Sequence, residues 1–317
     1  MVQRKQLDLR NAPVKGLITI EKIMVVYCGL TLLLALFFIG KIEAAPIINR
    51  IYILSGTAVL WGLYRKYPCQ ATYKLRSFYQ IALLAYWYPD IYYYARFMPN
   101  TDYLFATADQ FLLGFQPSIV LSQKLSGMFW KELFNMGYFS YYIMIFSIVI
   151  WSAFKKNKQF ERISSIILLS FMVYYAMYLF LQSAGPQFYF QHIGMENVMS
   201  GIFPNVGDWF QTHSVLTHSS NTKGGLFTML VEMAQQSEKP IAAFPSSHVG
   251  LSTIIIILAW KLSHRLFAVF FPFYCILCVS TVYIGAHYAV DVIGGWISAI
   301  AVYYVALYSV NRMLDNV

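Results

Sequence analysis

Apolar residues run through long stretches of this chain almost without interruption, and polar residues gather in short clusters between them. A helix needs roughly 17 to 25 such residues to cross about 30 Å of hydrocarbon. On that criterion the pattern predicts about eight crossing helices, over residues 23–40, 47–64, 77–97, 133–154, 163–183, 247–260, 266–285 and 288–310. The stretch 103–120 is equally apolar but is broken by Asp109, Gly114 and Pro117, so it reads as an interfacial or re-entrant segment. The expected fold class is all-α, a polytopic membrane helix bundle.

Composition strengthens this picture. The 317 residues are 58% hydrophobic, 18% aromatic and 12% charged, with a mean hydropathy of +0.54, which excludes a soluble domain of this length. The basic leader before residue 23 does not make the first span a removable signal. Ile42-Glu43-Ala44 puts a bulky residue three positions before the only candidate cleavage point, so the span is expected to stay as an anchor. Cys28, Cys275 and Cys278 fall within spans and Cys69 in a basic loop, an arrangement that offers no extracytoplasmic disulfide.

Charge supplies the orientation. Arg4, Lys5, Arg10, Lys15 and Lys22 precede the first span; Arg65, Lys66, Lys74 and Arg76 follow the second; Lys155, Lys156, Lys158 and Arg162 follow the fourth. Lys261 and Arg265 follow the sixth and Arg312 ends the last, so most of the 23 Lys and Arg lie on one side. Cytoplasmic connections carry that excess. Both termini are therefore expected in the cytoplasm, and the net charge of +9 belongs with anionic lipid headgroups and needs no nucleic acid. The other face carries the long connections, 98–132 and 184–243. The expected organisation is an N-terminal tail with two peripheral helices, 1–76, and a catalytic core, 77–317, capped by the loop 184–243.

Two polar clusters at helix ends carry the candidate chemistry. Phe244-Pro245-Ser246-Ser247-His248 places proline and two serines at the start of the sixth span, where first-turn amides lack intrahelical acceptors and attract phosphate. Gly285-Ala286-His287-Tyr288-Ala289-Val290-Asp291 spaces an imidazole and a carboxylate four residues apart, on one face of a helix that has begun. A carboxylate on one ring nitrogen fixes the tautomer and leaves the other as a nucleophile, while His248 can pass a proton to an oxygen leaving phosphorus. The sixth span runs inward to Lys261 and the seventh outward from Arg265, so both histidines are expected on the outer face.

These residues resemble the type 2 phosphatidic acid phosphatase superfamily, whose later motifs read Pro-Ser-Gly-His and Ser-Arg-x5-His-x3-Asp. Ser280-Thr281 through His287 and Asp291 aligns with the second without a gap. The resemblance implies a six-helix catalytic core, His287 as the phosphoryl-accepting nucleophile, Asp291 as its orienting partner and His248 as general acid and base. It also implies substrate contacts at Ser246, Ser247, Gly185, Pro186, Ser280 and Thr281. Upstream, Asp109-Gln-Phe-Leu-Leu-Gly114-Phe-Gln-Pro117, Tyr138-Phe-Ser-Tyr141 and Ala184-Gly185-Pro186 are similar to the branch that contains inositol phosphorylceramide synthases. The chain departs from the phosphatases of the superfamily. Nothing before Gly185-Pro186 matches their Lys-x6-Arg-Pro, Thr281 stands where they carry arginine, and Ser247 replaces a glycine. A phosphodiester with one charge needs fewer cations than a phosphomonoester.

The expected function is thus transfer of a phosphorylated headgroup from a phospholipid donor to a lipid alcohol through a phosphohistidine, with no metal or other cofactor and no nucleic-acid partner. The competing readings are a phosphatase acting on phosphatidic acid or an isoprenyl pyrophosphate, with water as acceptor, and a non-enzymatic transporter, which would show inverted repeats. A bacterial inner membrane suits a lone chain of this kind. Asp90 is expected to reach the headgroups, with local pairing or a place facing the site as the alternatives, Tyr86-Trp87-Tyr88 and Tyr92-Tyr93-Tyr94 to form an aromatic belt, and His213 and His218 to be solvated loop residues.

Overall fold

The computed structural model describes residues 16–155, 157–214, 224–236 and 238–315. Arg4, Lys5, Arg10, Lys15, Lys156 and His218 lie outside the described residues. The fold is all-helical. The first crossing helices are α1 (Thr19–Phe37) and α2 (Ala45–Lys66), followed by α3 (Gln70–Ala82) and α4 (Leu84–Ala95). A bent pair comes next, α5 (Asp102–Leu113) and α6 (Pro117–Lys124), then the long helices α7 (Met128–Lys155) and α8 (Asn157–Tyr178). Short helices α9 (Pro186–Ile193), α10 (Met195–Met199) and α11 (Leu226–Gln235) occupy the loop, and α12 (Ser247–Leu262), α13 (His264–Tyr283) and α14 (Ala289–Asp315) end the chain.

Among the described residues six helices are long and apolar enough to cross a membrane: α1, α2, α7, α8, α13 and α14. The sixth expected span is α12, 16 residues long. The third, expected as one helix over 77–97, is carried by α3 and α4, which part at Leu83. The interrupted stretch 103–120 folds as α5 and α6, bent by 64°. Gly114 makes that bend possible, because it ends α5 at φ +78°, a left-handed conformation that favours glycine. Pro117, in the first turn of α6, gives up no hydrogen bond there.

The chain divides into two compact units. One comprises Met1–Asp90, Ser147–Met172 and Tyr304–Val317, the other Ile91–Phe146 and Val173–Tyr303. In the first, α1, α2 and α3 pack on one another around two buried ion pairs. Arg50 Nη2 meets Asp90 Oδ2 at 2.7 Å, while Arg50 Nε donates to Thr31 Oγ1 at 3.0 Å and Tyr86 OH to Asp90 Oδ1 at 2.7 Å. Arg76 is paired with Glu21, both side chains fully buried. Asp90 therefore does not reach the headgroups: at 2% exposure, a charge survives in apolar surroundings only with partners of this kind. The aromatic runs turn inward in part. Trp87, Tyr92 and Tyr94 are buried, Trp87 against the edge of Tyr27 and beneath the Arg50 guanidinium, while Tyr86, Tyr88 and Tyr93 stay half-buried.

In the second unit α12 and α13 form a tight antiparallel hairpin. Ser263 starts α13 by accepting the Leu266 amide, and Lys261 at the close of α12 reaches Tyr303 OH at 2.7 Å. The loop 184–243 is partly helical, as expected. Its aromatic residues Phe188, Tyr189, Phe190 and Phe210 bury themselves with Tyr288 in one core.

Removing one partner of a buried ion pair strands the other charge, at a cost of about 3–5 kcal/mol. Asp90→Ala should lower the thermal unfolding midpoint in detergent clearly, and the double variant Arg50→Met/Asp90→Leu should recover much of the loss. An unchanged midpoint for the single variant would contradict the pairing.

Candidate active site

The turn between α13 and α14 carries His287, and the first turn of α12 carries His248. Ser246 caps α12, its Oγ accepting the Val249 amide at 3.3 Å, which sets His248 one residue inside the helix. Tyr178 fixes the entry from outside, its OH donating to the Pro245 carbonyl and accepting the Ser247 amide, each at 3.0 Å. The Ser246 amide then donates to the carbonyl of Asp291 at 3.0 Å. This bond joins the starts of α12 and α14. Gly295 permits their close approach, since a Cβ there would meet the Ser246 carbonyl at 2.8 Å.

His287 is 3% exposed. Its Nδ1 lies 2.8 Å from the Ala243 carbonyl and 3.5 Å from Asp291 Oδ2. A carbonyl only accepts, so Nδ1 carries the proton and Nε2 the lone pair. Nε2 faces His248 Nδ1 at 3.4 Å. Burial pushes the His287 pKa down to about 4, because an imidazolium is penalised away from water; at neutral pH the ring is uncharged. His248 lies between Tyr138, stacked at 4.6 Å, and Tyr141 at 4.4 Å, and its Nε2 is buried with no partner among the described residues.

Asp291 sits differently from the expectation of a single bond to His287. Oδ2 accepts the Tyr288 amide at 2.8 Å, and Oδ1 is buried without a partner among the described residues. The near partner of His287 is thus a backbone carbonyl, and the carboxylate stands just behind it.

Gly185-Pro186 is part of the frame. Asp102, with no exposed surface, accepts the amides of Ala184 (2.6 Å) and Gly185 (2.8 Å) and the Tyr288 hydroxyl (2.9 Å). Gly185 has φ +87°, and a Cβ on it would meet the Ala286 carbonyl at 2.4 Å, so no other residue fits there without movement. The neighbouring Gln187 amide donates to the Gly285 carbonyl at 2.8 Å. Asp109 accepts the Ala289 and Val290 amides at 2.8 and 2.9 Å, so a carboxylate from α5 caps α14 and meets the positive end of its dipole.

The structure brings His248, His287 and Asp291 together and places Ser246, Ser247, Gly185 and Pro186 around them. Ser280 and Thr281 are fully buried, and their hydroxyls bond the carbonyls of Ile276 and Cys278 within α13; Thr281 contributes instead its carbonyl, which accepts the His287 amide at 3.0 Å. Sequence reasoning missed Asp102, Tyr178 and the Ala243 carbonyl as parts of the site. Only Asp102 left a trace, as an acidic residue opening an apolar run. His213 is exposed and stacks on Trp209 at 3.6 Å.

Comparison with known proteins gives one match. A family model described as the PAP2 superfamily covers residues 105–305. No curated protein matches the chain, and neither does any solved structure.

The assigned tautomer and the depressed pKa make a spectroscopic prediction. In ¹⁵N spectra His287 should hold its proton on Nδ1 and stay uncharged from pH 8 to about pH 5. Protonation near the ordinary histidine value of about 6.5 would contradict the buried placement.

Proposed function

The chain belongs to the PAP2 superfamily, and on that premise we propose that it transfers a phosphorylated headgroup from a phospholipid to a second lipid alcohol through a phosphohistidine on His287. The coarser statement needs no proposal: the protein is an integral membrane enzyme of the lipid phosphatase and phosphotransferase type. The observation that carries the finer reading is the pair of facing nitrogens, His287 Nε2 and His248 Nδ1, 3.4 Å apart, with His287 Nδ1 tied to a carbonyl.

In the proposed sequence the two rings part from this contact as the donor's phosphate enters between them. The Nε2 lone pair of uncharged His287 forms a bond to phosphorus, and the bond from phosphorus to the diacylglycerol oxygen breaks. His248 takes up a proton as the anionic phosphate enters beside it, gives that proton to the departing oxygen and becomes neutral again. The positive charge that develops on His287 is met by the Ala243 carbonyl and the Asp291 carboxylate behind it. The acceptor hydroxyl then passes its proton to His248, its oxygen attacks phosphorus, and the bond to His287 breaks. Both histidines return to their starting protonation.

Transfer is favoured over phosphomonoester hydrolysis by the charges around the site. The carboxylates Asp102, Asp109 and Asp291 are held there by backbone amides and neutral side chains, and Thr281 replaces the arginine of the phosphatase motif. A donor with a single negative charge suits such surroundings better than one with two. The excess of Lys and Arg on one set of connections supports cytoplasmic termini and a site on the outer leaflet, as in a bacterial inner membrane. We read 77–317 as the catalytic core, and 1–76 as peripheral.

Purified protein in lipid nanodiscs, supplied with headgroup-labelled phosphodiester lipids, should release diacylglycerol beyond one equivalent per enzyme only when a lipid alcohol such as ceramide is present. His248→Ala should reduce the rate by about 10²–10⁴-fold, and His287→Ala should abolish it while the protein still elutes as a folded species. Phosphate release from phosphatidic acid, with no transfer, would overturn the proposal in favour of hydrolysis.

A further inference from the structure

α11 is more polar inside than outside, the reverse of a helix packed on a soluble core. The side it turns to the protein buries Thr228, Val231 and Gln235. The opposite side carries Leu226, Met229 and Met233, which are between 51% and 60% exposed and recur at the spacing of a single helical face. The helix holds no Lys or Arg and one charged residue, Glu232, so it carries no cation for a phosphate headgroup.

The neighbours of this stripe identify its surroundings. Glu132, in the second turn of α7, accepts the amides of Gly225 and Phe227 at 3.0 Å each and that of Thr228 at 3.1 Å, an anion at the start of α11 where the helix dipole favours one. Asn135 Nδ2 donates to Thr228 Oγ1 at 3.3 Å, and the Phe227 ring lies 6.4 Å from that of Phe139. α11 is thus laid against the start of α7. Glu132, Phe139, Ile143 and Phe146 fall on one face of α7, and beyond Phe139 that face is bare: Ile143 and Phe146 are 51% and 56% exposed, on a helix long and apolar enough to cross the membrane. Only one helical turn, about 6 Å along the axis, separates Phe139 from Ile143. The stripe on α11 is therefore continuous with the lipid-facing side of α7, and in water it would stand as an exposed apolar patch.

The buried side of α11 rests on the pieces that hold the histidines. Val231 packs with Tyr138 and Ala286; the Tyr138 ring is stacked on His248 at 4.6 Å, and Ala286 precedes His287. Gln235 Nε2 donates to Gln187 Oε1 at 2.9 Å, and the Gln187 amide holds Gly285.

We propose that α11 is an interfacial helix seated in the leaflet beside the histidines, and that Leu226, Met229 and Met233 hold the acyl chains of the lipid whose headgroup the histidines process. The acyl-chain role rests on the phosphotransferase reading and deepens it; the seat in the leaflet does not depend on it.

The seat is tested on the wild-type protein in nanodiscs that contain a phosphatidylcholine with a photoactivatable diazirine in its acyl chain. After irradiation and digestion, mass spectrometry should find adducts on Leu226, Met229 and Met233 at yields within about threefold of those on Ile143 and Phe146, the internal standard for lipid contact. Adducts on α7 with none on α11 overturn the inference, whether water or a second copy of the chain covers the stripe. The acyl-chain role is tested with the triple variant Leu226→Gln/Met229→Gln/Met233→Gln, all at exposed positions. The ratio of KM for a long-chain donor to KM for a dihexanoyl donor with the same headgroup should rise about tenfold, as expected for lost apolar contact. An unchanged ratio overturns the acyl-chain role. Hydrolysis of phosphatidic acid in place of transfer overturns the phosphotransferase reading alone: the labelling pattern does not depend on turnover, and the KM ratio is then taken on phosphatidic acid.

Discussion

Asp102 ties together the segments that frame the two histidines. One fully buried carboxylate takes the amides of Ala184 and Gly185, the Tyr288 hydroxyl and the Asn100 side-chain amide. Bonds to a buried charge are stronger than neutral ones, and breaking one strands the remainder. Every neighbouring connection runs from the segment so fixed. Ser183 receives the amides of Ala243 and Phe244 on its carbonyl and hydroxyl, which places the Ala243 carbonyl under His287. Gln187 holds Gly285, which places the turn that carries His287. His287 is thus held from both sides by bonds that run from Ser183 and Gln187.

The same carboxylates set the electrostatics. Asp109 meets the start of α14 and Asp291 the Tyr288 amide inside its first turn, so negative charge sits where the helix dipole welcomes it. In the first turn of α12 the His248 amide has no acceptor among the described residues; under the proposed phosphotransfer it is the amide that meets the phosphate, in keeping with the attraction of such amides for anions. An uncharged His287 with its proton held away from the reacting nitrogen suits attack on phosphorus better than an imidazolium would.

Much of this was legible in the sequence, for identifiable reasons. Long apolar runs have a length fixed by the bilayer, so the clear spans appear where the pattern puts them. His248, His287 and Asp291 sit in short motifs whose spacing survives folding, and the sidedness of Lys261 and Arg265 was enough to expect both histidines on one face. Long-range pairings left no such mark. Asp102 lies 186 residues from the Tyr288 hydroxyl that it accepts and Asp109 180 residues from the Ala289 amide, and no periodicity links them. Asp90 looked like a boundary residue because its partner, Arg50, belongs to another helix. Ser280 and Thr281 occupy motif positions, yet their hydroxyls serve α13 itself; the motif kept its spacing through the backbone.

The central claim is a covalent bond between His287 Nε2 and phosphorus. Its most direct test is to mix the enzyme with a donor labelled in the headgroup phosphate, omit the acceptor, quench in alkali where phosphohistidine survives, and map the label by mass spectrometry. The account predicts a headgroup-phosphate adduct on His287, labile to acid, that disappears when a lipid alcohol is added before the quench. Label found on another residue, or full turnover by a protein that never carries the adduct, would contradict it.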